Sequence, residues 1–123
     1  MKNIILASVF ALTAVTAIDA QAVSTSNVCA GGAVAGNGNP VNGDSSATDR
    51  FVKVGFTPKC SANVFLAAND ESALLFRVGA ASAKGKAFFG GSSVGGAVTR
   101  VGECGATCDA SKAADGITNA PSS

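Results

Sequence analysis

Four cysteines, Cys29, Cys60, Cys104 and Cys108, constrain this chain more than any other feature. Two of them lie one short loop apart in "ECGATC", Glu103 to Cys108. Three chemistries could use such a set: a metal site, a redox pair or a pair of covalent staples. Structural zinc sites in small domains bring their ligands in close C-x2-C pairs, often joined by histidine. Here the single close pair is spaced C-x3-C and the chain contains no histidine. Thiol oxidoreductases use C-x-x-C at a helix start, where the dipole favours the thiolate. "CGATC" is one residue too long for that, and Glu103 beside it opposes a second negative charge. An even number of cysteines in a short exported chain reads instead as a disulfide framework. Three pairings are open to four cysteines. A bridge closing the tight Cys104/Cys108 loop, with Cys29 meeting Cys60, is the favoured one, and the crossed and nested pairings stay open.

Export is read from the first residues, "MKNIILASVFALTAVTAIDAQA". Lys2, an apolar run from Ile4 to Ile18 and Ala20-Gln21-Ala22 have the n-region, h-region and small-x-small order of a secretory signal. The run stops at Asp19, short of the roughly 20 apolar residues that a spanning helix needs. Residues 1–22 are therefore expected to be a cleaved signal peptide. Contact with membrane is expected only through that peptide before cleavage, and 23–123 to be one small secreted β domain with a flexible C-terminal tail, located in the periplasm or outside the cell.

A domain of about 100 residues buries a limited share of its surface. Composition makes its core thinner still, because all 15 glycines lie beyond residue 22 and the aromatic set is phenylalanine alone. Such a domain needs cross-links or partner subunits. The chain alternates in short stretches. A first strand is expected near Thr25 to Ala30. Residues 35–49, "AGNGNPVNGDSSATD", are loop material. A second strand is expected over Arg50 to Phe56. A hairpin spans Ala62 to Ala80, with a polar turn at Asn69-Asp70-Glu71-Ser72 and with Leu74, Phe76, Val78 and Ala80 opposite Leu75 and Arg77. Short apolar pieces at 87–89 and 97–101 flank the glycine-rich "GGSSVGG" at 90–96. The tail offers Asp109 or Ser111 as an N-cap and Gly116 as a stop, enough for a turn or two of helix. The fold class expected is all-β: a small, disulfide-stabilised sandwich or roll of short antiparallel strands with Gly-rich loops.

Little reactive chemistry is on offer. Without histidine, Ser-His-Asp and Cys-His sites are excluded. Ser82 with Lys84 or Lys86 reads as a solvated turn, and the carboxylates Asp44, Asp49, Asp70, Glu71, Glu103, Asp109 and Asp115 are scattered. Counted from Asn37, the loop lacks the ligand positions of an EF-type calcium site. No metal, no cofactor and no catalytic residue is expected. Formal charge is +1 with no dense basic run, which gives no steering toward nucleic acid, although Lys53, Lys59, Lys84 and Lys86 could converge on one face. Phe88 and Phe89 must point to opposite faces of a strand, one to the core and the other outward as the best interaction residue. The expected function is a non-catalytic structural or interaction protein of the cell envelope or surface, docking through strand edges with a copy of itself or another envelope protein. The alternative is a small-ligand or polysaccharide-binding module rimmed by loops 35–49 and 90–96.

Overall fold

The computed structural model describes residues 26–122, so the expected signal segment 1–22 lies outside the described residues. The chain is mostly antiparallel β-sheet held by two disulfides. Among the described residues seven strands, β1 (Ser26–Ala30), β2 (Gly36–Asn37), β3 (Lys59–Cys60), β4 (Val64–Ser72), β5 (Leu75–Ser82), β6 (Ala87–Ser92) and β7 (Thr99–Glu103), precede one helix, α1 (Ala110–Thr118). Five of them form a sheet in the order β1-β4-β5-β6-β7, while β2 and β3 pair separately. Every pairing is antiparallel.

The hairpin expected between Ala62 and Ala80 is present as β4 and β5, but its turn is Ala73-Leu74 rather than the polar run 69–72. Asn69 and Asp70 stay in the ladder, opposite Arg77 and Phe76. The carboxylates of Asp70 and Glu71 find partners outside the turn. The Asp70 carboxylate accepts the amides of Phe51 and Val52 at 2.8 and 3.1 Å. Glu71 lies 2.5 Å from the Arg77 guanidinium. Leu74, placed by the alternation on the core face, is left exposed in the turn.

The strand expected over Arg50 to Phe56 does not form, and that stretch keeps one isolated bridge, Val41 with Phe56. Two of its amides are spent on the Asp70 side chain, as just described. Its glycine is committed too, because the Gly43 and Gly55 backbones touch: a Cβ on Gly43 would lie 2.4 Å from the Gly55 nitrogen. The result is a compact lobe, residues 36–60, that lies over β1, β4 and β5. Val41, Val52 and Cys60 of the lobe pack on Val28, Cys29, Leu66, Ala68, Phe76 and Val78.

The opposite sheet face carries α1. Asp109 is its N-cap, accepting the amides of Ser111 and Lys112, and Asn119 closes it, with Gly116 buried inside the helix and not at its end. Three glycines set the depth of this contact. A Cβ on Gly79 would fall 1.9 Å from the Ala113 oxygen, one on Gly90 2.2 Å from the Gly116 oxygen, and one on Gly116 2.3 Å from the Phe89 oxygen. Helix backbone therefore rests on sheet backbone, and Ala67, Ala113 and Ile117 close a core of small side chains between them. Gly90 and Gly91, which the sequence assigns either to a wide loop or to a close approach of another backbone, are strand residues, Gly90 lying against the helix backbone and Gly91 under Val98. The wide turn that remains contains Gly95 and Gly96, both at positive φ. A helix on one face and an irregular lobe on half of the other thus cover the sheet, where the sequence led us to expect a sandwich or roll of strands.

Candidate functional site

Cys29 faces the lobe, opposite Leu66 in the ladder, and is bonded to Cys60 with a Cα separation of 5.7 Å. Cys104 directly follows β7 and is bonded to Cys108, the residue before the helix cap, at a Cα separation of 5.1 Å. No free cysteine remains among the described residues. Disulfides persist in oxidising compartments, so two of them are compatible with a periplasmic or extracellular location. No helix among the described residues is long and apolar enough to cross a membrane.

Phe88 and Phe89 split across the sheet. Phe88 pairs with Ala81 and is buried at 7% exposure beside Cys104 and Cys108 on the helix side. The Lys112 ammonium stands 5.5 Å from its ring centroid. Phe89 pairs with Ala80 on the other face and is 40% exposed. Val98 lies over Gly91 on that same face, its Cγ2 3.0 Å from where a Gly91 Cβ would be, and is 66% exposed. Half-buried Val78 and Ala80 continue the surface inward. Because the lobe ends over β5, the β6–β7 half of this face has no covering layer among the described residues.

Two charges rim that half-face. Phe89 is opposite Arg100 and Ala87 opposite Glu103, and a bulge lies between these pairings. The extra residue puts Arg100 and Glu103 on the same face, where they form an exposed ion pair. Bulges and charges are the usual means of blunting a sheet edge, and β7 has both. At the other edge, β1 carries a bulge between Asn27 and Cys29. Its carbonyls are also taken: Asn39 donates its backbone amide to Val28 O at 2.8 Å and its side-chain amide to Asn27 O at 2.7 Å. The strand edges expected as docking sites are both protected, and the open surface is a face.

The structure also gathers residues that look scattered in the sequence. Asp44, Asp49, Asp70 and Arg50, with Asn42 and Phe76, line a polar cleft of about 360 Å³ between the lobe and the sheet. No sequence signal marks this cleft, because Asp70 reaches it from β4, Phe76 from β5 and the others from the lobe. Two of its acids, Asp44 and Asp70, are already engaged. Asp44 Oδ1 accepts the Ser46 hydroxyl at 2.6 Å and the Ser46 and Ala47 amides at 2.9 and 3.2 Å. Those bonds, the hydroxyl first, hold its pKa below the ordinary carboxylate value. A carboxylate held this way stays charged and is poorly suited to carrying protons at neutral pH. Among the described residues, no three cysteine, aspartate or glutamate side chains cluster closely enough to hold a metal ion.

The remaining candidates have local roles. Ser82 Oγ accepts the backbone amide of Lys84 at 3.3 Å in the β5–β6 turn, where Lys84 and Lys86 are exposed. Lys59 Nζ donates to Asn37 Oδ1 at 2.6 Å, and Lys53 Nζ donates to Ala47 O. These four lysines are divided between the lobe and that turn. On the helix side, Asn69, Arg77 and Ser92 line up across β4, β5 and β6, with Asn69 Oδ1, Arg77 Nε and Ser92 Oγ buried and without a hydrogen-bond partner from the protein. Comparison of the chain with protein-family models, with curated proteins and with solved structures yields no match in any of the three.

Proposed function

We propose that this chain is a non-catalytic structural or interaction protein, exported to the cell envelope or surface, that works through the open half of its sheet face. The observation that carries this reading is Phe89. Phe89, 40% exposed, lies beside an exposed Val98 on the half of the sheet face that the lobe leaves uncovered among the described residues. Exposed apolar patches of this kind mark contact sites, and a sheet's hydrophobic face ordinarily buries itself against another element. The chemistry around it fits a passive role, since the sulfurs are bonded in pairs and two of the cleft acids, Asp44 and Asp70, are bound to backbone amides and a serine hydroxyl.

The alternative, a small-ligand or polysaccharide-binding module, rests on the polar cleft beside Phe76. An environment-sensitive apolar dye separates the two readings on the disulfide-intact protein. The contact reading expects dye uptake by the folded chain that drops with Phe89→Ser and is unchanged by Arg50→Ala in the cleft. Absence of uptake, or uptake indifferent to Phe89→Ser, overturns it.

A further inference from the structure

We infer that Asn42–Gly43 is a site of spontaneous self-modification, where the Gly43 nitrogen displaces ammonia from the Asn42 side chain, and that the fold leaves this step open while closing the same step at Asn37–Gly38.

The two Asn-Gly steps of the lobe are chemically alike. In each, the amide carbon of an asparagine side chain can reach the nitrogen of a following residue that has no Cβ to obstruct the approach. The other described asparagines precede a residue with a side chain, and Pro40 after Asn39 has no N–H to give up. The reaction needs two freedoms. The asparagine side chain must swing onto the backbone, and the glycine N–H must not be spent on another acceptor.

Asn37–Gly38 has neither. Asn37 lies in β2 opposite Lys59, whose ammonium donates to Asn37 Oδ1 at 2.6 Å. The Gly38 amide donates to Pro58 O at 2.8 Å. A Cβ on Gly38 would lie 2.6 Å from Val28 O and 2.8 Å from Cys60 Sγ, so this residue is clamped between β1 and the Cys29–Cys60 bond. Asn42–Gly43 is different. Both residues are exposed, and among the described residues neither the Asn42 side chain nor the Gly43 amide has a hydrogen-bond partner. The backbone bonds of the lobe pass to either side of the step, joining Val41 to Phe56 and the Asp44 amide to Val52 O.

The chemistry needs only water. The Gly43 nitrogen bonds to Asn42 Cγ, the Cγ–Nδ2 bond breaks, and Nδ2 leaves as ammonia with the proton that Gly43 held. A five-membered cyclic imide remains. Water then opens the ring at one of its two carbonyls. Attack at Cγ gives aspartate, and attack at the Asn42 backbone carbonyl carbon gives isoaspartate, in which the chain runs through the former side chain and is longer by one methylene. Either product adds a negative charge to a chain whose formal charge is +1. That charge enters the cleft that Asn42 lines with Asp44, Asp49 and Asp70.

Incubation of the disulfide-intact chain at mildly alkaline pH, followed by peptide mapping with mass spectrometry, tests this. Conversion at Asn42 should outrun conversion at Asn37 several-fold. With the disulfides reduced and the chain unfolded in guanidinium chloride, both steps should react and the gap should close, because the clamps on Asn37 and Gly38 are gone. On ion exchange the folded wild type should accumulate an acidic form. Asn42→Gln should not form it on the same timescale, since the longer side chain would have to close a larger ring. Equal rates at the two steps in the folded chain, a folded chain that converts at neither while the unfolded chain converts at both, or an acidic form that persists in Asn42→Gln overturns the proposal.

Discussion

Gly116 sits inside α1, where glycine ordinarily costs roughly 0.5–1 kcal/mol relative to alanine. Propensity alone would have Gly116→Ala stabilise the protein. Packing reverses the sign, because the new Cβ would lie 2.3 Å from Phe89 O and 3.0 Å from Gly79 Cα. Separating the helix from the sheet to admit it costs about 1–3 kcal/mol, more than the propensity gain. Gly79→Ala has no such gain to set against its clash with Ala113 O and should cost about 3 kcal/mol or more. Gly36→Ala is the control, since no atom lies within 4 Å of its Cβ position, and it should stay within about 0.5 kcal/mol of wild type. Urea denaturation of the three variants reads all of this, and a stabilising Gly116→Ala would refute the backbone-on-backbone contact. At this scale the sequence is legible where one strand decides the matter. Alternation alone separates Phe88 from Phe89. It does not reveal why Gly116 is glycine, because the reason lies on Phe89 and Gly79 in two strands of the sheet, and a local reading takes Gly116 for a helix stop.

Elements are legible to the extent that their hydrogen bonds are local. β1 falls within the expected strand, and the β4–β5 hairpin is where alternation places it. The turn slides to Ala73-Leu74 because Asp70 and Glu71 find partners in Phe51, Val52 and Arg77, which no window of adjacent residues contains. The stretch Arg50 to Phe56 alternates like a strand and fails to become one for the same reason, its amides being taken by a side chain. The helix is the opposite case. Its cap is written locally in "DAS", where Asp109 Oδ1 accepts the Ser111 hydroxyl at 2.5 Å and the Ser111 amide at 2.9 Å. The Ser111 hydroxyl first, and then the Lys112 amide, hold the Asp109 pKa below its ordinary value. A carboxylate depressed on folding contributes stability that is fully present above its unfolded pKa and is lost as pH falls through the folded one. Asp44 has the same sign, so stability should decline on the acid side, below the ordinary carboxylate range. Asp109→Ala removes the cap and should lower Tm by a few degrees at neutral pH. Asp109→Asn keeps an acceptor without the titration. It should stay near wild type at neutral pH and lose less on acidification. Thermal unfolding followed by circular dichroism from neutral to acid pH distinguishes the two variants, and identical acid limbs for wild type and Asp109→Asn would contradict the assignment.

On the scale of the whole molecule the two disulfides do different work. Cys104–Cys108 joins the end of the sheet to the start of α1 across a loop closed by a sequence separation of 4, whereas Cys29–Cys60 ties the lobe to β1 across a separation of 31. Loop-closure entropy assigns about 2 kcal/mol to the short loop and about 3.7 to the long one. The difference in location matters more than the difference in size. The lobe has no helix and no strand longer than two residues, and it holds to the sheet through Val41 and Val52, the Asp70 carboxylate and the Cys29–Cys60 bond. The helix–sheet half has its own core around Ala67, Ala113 and Ile117. The sequence predicts that bridges are needed but places them in a sandwich or roll of strands, because composition shows a thin core without showing that a helix and a loop would roof the sheet. If the halves are held so differently, removing one bridge should not loosen both. In Cys29→Ser/Cys60→Ser, amide exchange should accelerate across residues 41–56 while β4, β5, β6 and α1 keep most of their protection, the pattern of a sub-global opening. In Cys104→Ser/Cys108→Ser the acceleration should fall on β7 and the first turn of α1, with the lobe unaffected. Hydrogen exchange read by mass spectrometry resolves these segments. Uniform acceleration in both variants would mean that lobe and sheet form one cooperative unit, and that the Cys29–Cys60 bond supports the whole domain rather than fastening a roof to it.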